Sequence, residues 1–437
     1  LRENIKSCAL MLLIVLSLIQ SYFLIYRMPG ADSVANSEAG YVQAEDIGPR
    51  SDIENLVFPD QMIIHKSGNR HTIFYPSSSN YNSIYTDLKN SSFGQFRRLP
   101  LQSMNWNAIR SEAGIELTFN SGIPVSLLER SMNLNPDSLF EGDAVNRILI
   151  YNAAENNVPR AFFFSAGGDV VYEATDIKWT SQDVLKHVLL GENGINYQYA
   201  AGGYYVPQTG LSIPTITLKL DSLTTEQMQR NLFFDPGATR NINEENGTEI
   251  YTDSKRSLQV DTRQRWMTYT DPTAPTTGTN SVVDNVLSAV EFVNQHGGWP
   301  GTYMLNMSST DNKKGFTFRQ YYHSYPIMDT DKLRFGYMRL MVEYNTVSSY
   351  ERSLLYLTAD QQLADQPLSS NSQIQVLPGG PQLINLLQKQ VPAGQTVSNL
   401  SPAYRPTLGN GVVVLTPVWM AELQDGRHLL IELNHKL

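Results

Sequence analysis

Histidine is the side chain best suited to bind metal or move protons near neutrality. This 437-residue chain has seven: His65, His71, His187, His296, His323, His428 and His435. None lies four residues from another and there is no H-E-x-x-H, so no helix turn offers two imidazoles on one face. Each reads as a surface or strand histidine. Cys8 is the only cysteine, which excludes an internal disulfide and a zinc site built on thiolates. No G-x-S-x-G elbow or S-x-x-K set is present, nor a Walker A loop or G-x-G-x-x-G. Asn241, Asn243, Glu245 and Gly247 begin like a calcium loop. The register fails, because Asn246 falls where glycine is required and Thr252 where a carboxylate is required. That stretch reads as a solvated loop. Asp329 and Asp331 could pair as acids, but they fall in a short inter-strand turn. A hydrolase needs a nucleophile, a metal or paired carboxylates in a pocket. Among 42 acidic residues nothing singles out a pair. The chain is expected to be no enzyme and to carry no cofactor or metal.

With no catalytic set to position, the informative segments are those that place the chain. Hydrophobic residues make up 41%, enough for sizeable cores, and 23 tyrosines favour sheets. The net charge is −9 with no basic stripe, which argues against nucleic acid. Residues 8–26 carry no charge. As a helix they would reach roughly 28 Å, close to the hydrocarbon thickness of a bilayer. Arg2 and Lys6 precede the run, which places the N-terminus in the cytoplasm. The run leads into Tyr-Arg-Met-Pro-Gly with no A-x-A-like cleavage site. Cys8 precedes it, where a lipoprotein cysteine would follow. An uncleaved single-pass anchor is expected. Leu10, Leu13, Ser17, Gln20 and Leu24 fall on one helical stripe, a candidate contact face for a neighbouring membrane helix; a plain tether is the alternative. A large ectodomain without cysteine fits a Gram-positive bacterium.

Five segments are expected: a cytoplasmic stub and anchor at 1–28, a flexible stalk at 29–55, and α+β domains at 56–194, 195–277 and 278–437. The pattern predicts hairpins around residues 67–70 and 166–169. It predicts strands near 114–119, 147–151, 215–220, 249–252, 257–261, 266–270, 302–307, 315–325, 333–344, 348–357, 411–417, 418–423 and 428–433. Helices are expected from Pro124, over 181–190, from a Thr224–Gln227 capping box to Phe233, from Val283 to the Gly297-Gly298 stop, and over 381–390. Antiparallel sheets with helices on one face is the economical packing.

Several short stretches also resemble one family. They are Glu3-Asn4-Ile5-Lys6-Ser7 before the Leu-rich run, Ile115-Glu116-Leu117-Thr118-Phe119 with Gly122-Ile123-Pro124, and Tyr251-Thr252-Asp253 with Tyr269-Thr270-Asp271-Pro272. Tyr325-Pro326-Ile327, Ser349-Tyr350-Glu351-Arg352, Tyr404-Arg405-Pro406 and Pro417-Val418-Trp419 complete the set. In this order, over nearly the whole chain, they resemble the YycH (WalH) family. The resemblance implies a regulator of the essential sensor histidine kinase of the YycFG (WalKR) two-component system, which controls cell-wall metabolism in Gram-positive bacteria. It implies an elongated multi-domain ectodomain with no catalytic residues. It also implies partnership with YycI, a single-pass protein similar to the C-terminal two-thirds of YycH, and so to the central and last domains here.

The expected function is therefore a membrane-anchored extracytoplasmic regulator that touches a YycG/WalK-type kinase and a YycI-like partner. The alternative is a sensor module binding a cell-wall fragment or peptide. A deep pocket lined by tyrosines would mark the alternative.

Overall fold

The computed structural model describes residues 6, 11, 13, 15–17 and 46–433, the last span apart from 201, 246, 273–276, 278–279, 308–314 and 358–372. The chain divides into two compact units, Leu1–Gln43 and Ala44–Leu437. In the first unit Lys6, Met11, Leu13, Val15, Leu16 and Ser17 are helical and exposed. Leu13 and Ser17 of the expected contact stripe are among them, one helical turn apart. Leu10, Gln20 and Leu24 lie outside the described residues. Among the described residues, no helix is long and apolar enough to cross a membrane.

The second unit opens with β1 (Gln61–Lys66) and β2 (Arg70–Phe74), the first expected hairpin. Then follow β3 (Ser92–Pro100), β4 (Gly114–Pro124), β5 (Asn133–Asn135), β6 (Ala144–Ala153), β7 (Val158–Ser165), β8 (Val170–Ile177), β9 (Tyr197–Tyr199) and β10 (Tyr205–Pro207). They form a ten-stranded sheet in the order β10-β9-β2-β1-β4-β6-β7-β8-β3-β5, antiparallel except for β3 with β5. Strand alternation sorts the side chains. Met62, Ile64, Ile115, Leu117, Ile148 and Ile150 face one way. They share a core with residues of the helices Ser79–Lys89, Val125–Ser131 and Ser181–Leu189. The opposite face is not bare. Leu149, Phe162 and Phe164 pack there against Trp106 and Ile109, and β1 and β4 send polar groups to that side.

The chain just after the expected 194/195 boundary supplies β9 and β10, the edge of this sheet. Tyr197 and Tyr205 are buried there with Ile63, Ile73 and Tyr75.

The other two large sheets mix strands from both sides of the expected 277/278 boundary. Trp266–Thr270 pairs with Thr346–Ser353, placing Tyr269 opposite Tyr350. Ile216–Ser222 pairs with Val412–Leu423, placing Leu218 opposite Val413. Val412–Leu423 and Val397–Leu408 form one long C-terminal hairpin. The sequence conceals its first arm, because Pro402 and Pro406 argue against a strand. Val397–Leu408 is the last strand in its sheet, and an edge position tolerates a residue without an N–H. Helix Gly380–Gln390 packs Leu383 and Leu387 against this sheet, where Trp419 is fully buried.

Packed chain begins earlier than Leu56. Ile47 and Gly48 N–H both donate to Gly297 O at 2.7 and 2.9 Å, and Trp299 N–H donates to Pro49 O at 2.9 Å. Arg50 pairs with Glu291 at 2.9 Å. Gly297 and Gly298 stop helix Val282–Gln295 as expected, both at positive φ. Their lack of side chains also admits the incoming segment. A Cβ on Gly298 would sit 2.2 Å from Gly48 O.

Candidate functional site

The polar face of the ten-stranded sheet holds a buried ion cluster. β1 and β2 place His65 and His71 directly opposite each other, with their Nδ1 atoms 2.9 Å apart. His65 Nε2 lies 2.9 Å from Glu116 Oε2, and His71 Nε2 lies 3.1 Å from Asn69 Oδ1. Arg110 Nε donates to the same Glu116 oxygen at 3.2 Å, and Arg147 reaches the other at 3.4 Å. His65, His71 and Glu116 are all buried. Burial alone would raise the Glu116 pKa. Arg110, the His65 hydrogen bond and Arg147 outweigh it and hold the carboxyl well below the usual carboxylate range. Burial and then neighbouring His65 push His71 down to about 3. His71 is therefore a neutral ring at physiological pH. Such a group of charges is stable only while every member keeps its partners.

Beside this cluster opens a cleft of about 390 Å³. β1, β4 and β6 supply Gln61, Glu116, Thr118 and Arg147. β9, the turn after it and β10 supply Tyr199, Tyr204 and Tyr205, and the C-terminal hairpin supplies Ser398, Asn399 and Glu422. Hydrogen bonds tie hairpin to sheet at the rim. Gln61 Nε2 donates to Asn399 Oδ1 at 3.0 Å and Leu400 O at 3.2 Å. Asn399 Nδ2 donates to Asp60 Oδ2 at 3.3 Å, and Thr118 Oγ1 donates to Asp60 Oδ1 at 3.2 Å. Burial pushes Asp60 up to about 7 against these bonds. Burial and then nearby Asp60 push Glu422 to about 7. Two carboxyls thus change charge near neutrality where the hairpin meets the sheet.

The other sequence candidates are dispersed. Asp329 accepts from Arg319 Nη1 at 2.8 Å, so it is an ion-pair partner. His187 lies 3.3 Å from Asp87 on the opposite side of the first sheet, beside Trp179. The stretch resembling a calcium loop begins as the exposed strand Arg240–Asn243, paired with Thr248–Thr252. Among the described residues no group of three or more metal-ligating side chains converges. Sequence reading missed the His65–Glu116–Arg110 cluster. The signal was there, in polar residues at alternate positions of strands that are otherwise apolar.

Antiparallel sheets with helices packed against them make the protein a mixed α+β fold. Residues 3–188 match the family described as YycH protein, N-terminal domain, and residues 202–436 match YycH protein, C-terminal domain. The chain belongs to the YycH family. It is 20% identical over 441 residues to the "Two-component system WalR/WalK regulatory protein YycH" of Bacillus subtilis (strain 168), across 96% of this chain and 94% of that protein. It is also similar to the crystal structure of YycH from Bacillus subtilis, with a TM-score of 0.70 at 18% identity, covering 90% of this chain and 99% of that one. At that identity the likeness establishes a shared fold.

Proposed function

We propose that this chain is a membrane-anchored, extracytoplasmic regulator of a YycG/WalK-type sensor histidine kinase. It works in a Gram-positive bacterium, acts on cell-wall metabolism, and does so by contact with the kinase and a YycI-like single-pass protein, without catalysis. The observation that carries this reading is the end-to-end match to a WalR/WalK regulatory protein, over 96% of this chain and 94% of the relative. The charge-free run at 8–26 supports the anchor. Within it, helical Met11, Leu13, Val15 and Leu16 are 73, 63, 52 and 48% exposed, an apolar surface that lipid or a neighbouring helix would cover. A regulator of this kind needs only about 1–3 kcal/mol of differential contact to bias a kinase between two states.

Co-purification tests the reading. The full chain, expressed with a WalK-type kinase and a YycI-like protein, should retain both on affinity capture. Replacing residues 8–26 by an unrelated membrane helix should reduce kinase retention. Retention unchanged by the swap would refute contact through the helix, and no retention of either protein would refute the regulatory reading. A second reading, a sensor module, is favoured by the tyrosine-lined cleft and is compatible with the first.

A further inference from the structure

The lining of the cleft indicates what it would hold. Tyr205 is only 7% exposed, yet its hydroxyl has no hydrogen-bond partner among the described residues. The same is true of the buried Nε of Arg147, which lines the same cleft. Interiors pair nearly all such groups, and an unpaired one calls for an explanation. Tyr205 is held in place by His71, at a ring-centroid distance of 5.1 Å, and by Tyr199, also at 5.1 Å. These two rings hold Tyr205 in place in the wall of the cleft.

We propose that this cleft binds a neutral, polyhydroxylated ligand of mono- or disaccharide size. The inference deepens the sensor reading and does not require the kinase partnership. The volume of about 390 Å³ lies within the usual range for small-molecule sites. Asn120, Asn146, Asn399, Ser121, Ser398 and Tyr205 line it; Asn399, Ser121 and Ser398 already make hydrogen bonds within the protein, while Asn120 Oδ1 and the Tyr205 hydroxyl make none among the described residues. Amides and hydroxyls both donate and accept, as the hydroxyls of a sugar do. Half-buried Tyr199 and Tyr204 add aromatic surface of the kind that covers the C–H face of a pyranose while its polar tip stays wet. The charges on the walls disfavour ions of either sign. An anion would meet Glu116 and Glu422, and a cation would meet Arg147. A wholly apolar ligand would leave the buried Asn120 Oδ1 without a partner.

The test uses the full chain in lipid nanodiscs, free of sugar detergents. Cellobiose, maltose and N,N′-diacetylchitobiose are titrated by calorimetry and by saturation-transfer NMR, beside a neutral tripeptide and inorganic phosphate. At least one disaccharide should bind saturably. Tyr205→Phe, which deletes only the unpaired hydroxyl, should weaken that binding roughly tenfold while leaving the melting temperature equal or higher. Asn146→Ala should weaken it as well. If Tyr205 were merely structural, binding would be indifferent to the Phe variant, and that result would overturn the proposal. Saturable binding of the peptide or phosphate alone would overturn the sugar assignment and leave the sensor reading intact. Binding of none of these probes would overturn both, with co-purification of the kinase unaffected.

Discussion

His65 and His71 stand opposite each other on adjacent strands with their Nδ1 atoms 2.9 Å apart. A contact this short needs one proton between the two nitrogens, so the protonation of one ring constrains the other. The far side of His65 is fixed by Glu116, which also answers two arginines. β1, β4 and β6 are thereby joined through a single carboxylate, with β2 joined to them through the histidine pair, below the cleft that faces the C-terminal hairpin.

Removing that carboxylate's charge should be costly. Glu116→Gln leaves Arg110 and Arg147 facing each other without a counter-ion in a buried place. Its unfolding free energy should fall by about 3–5 kcal/mol. Urea denaturation of the variant against the parent measures this. A change below about 1 kcal/mol would show that water already screens the cluster.

Stability should respond to pH in two opposed directions. His71 has a folded pKa of about 3, below its unfolded value, so the unfolded chain binds the extra proton. Its contribution is complete above roughly pH 6.5 and declines as pH falls toward 3. Asp60 is pushed up to about 7, so here the folded chain binds the extra proton. That contribution is complete below roughly pH 4 and is lost as pH rises through 7. Asp60→Asn should therefore remove Asp60's share of the loss on the alkaline side, leaving that of Glu422, which burial alone still raises. Relative to the parent, the variant should gain stability as pH rises from roughly 4 through 7, the gain including the relief of Glu422 from its charged neighbour. Unfolding free energy measured across pH 3–9 for parent and variant shows whether the two curves diverge this way.

The segment at residues 46–50 depends on glycine at the end of the Val282–Gln295 helix. Gly298 has φ +78°, and a Cβ there would collide with the Gly48 carbonyl. Gly298→Ala should cost about 1–3 kcal/mol from backbone strain alone. It should also speed hydrogen exchange at the amides of Ile47 and Gly48, which donate to Gly297 O. Unchanged exchange at those two amides would show that the segment tolerates the displacement.

At the helix Thr225–Leu232, Thr224 Oγ1 accepts from Gln227 N at 3.2 Å, and Thr224 N donates to Gln227 Oε1 at 2.8 Å. Thr224→Ala removes the first of these bonds and should cost about 1 kcal/mol by thermal denaturation.

That capping box was legible because its signal is local. So were the strands Ser257–Asp261 and Trp266–Thr270, whose bounds match the expected ones. What escaped was non-local. Helix Ser79–Lys89 turns only Tyr81, Ile84 and Leu88 inward, too thin a stripe to stand out among polar residues. The edge strand Val397–Leu408 was masked by its prolines. The cleft could not be read at all, since Gln61, Tyr205 and Asn399 converge from three distant stretches. The charged cluster was half legible: alternation assigns His65 and Glu116 to a face, but only the pairing of β1 with β4 shows that it is the same one. The membrane-contact stripe rests on the sequence, with Leu13 and Ser17 its only described members.

Regulation by contact is tested most directly by kinase autophosphorylation. A WalK-type kinase in nanodiscs is assayed alone, with the full chain, and with a chain whose residues 8–26 are replaced by an unrelated membrane helix. The intact chain should change the initial rate several-fold, on the order of a 1–3 kcal/mol bias, and the replaced chain should change it less. Equal rates in all three samples, at saturating amounts of chain, would contradict regulation by contact.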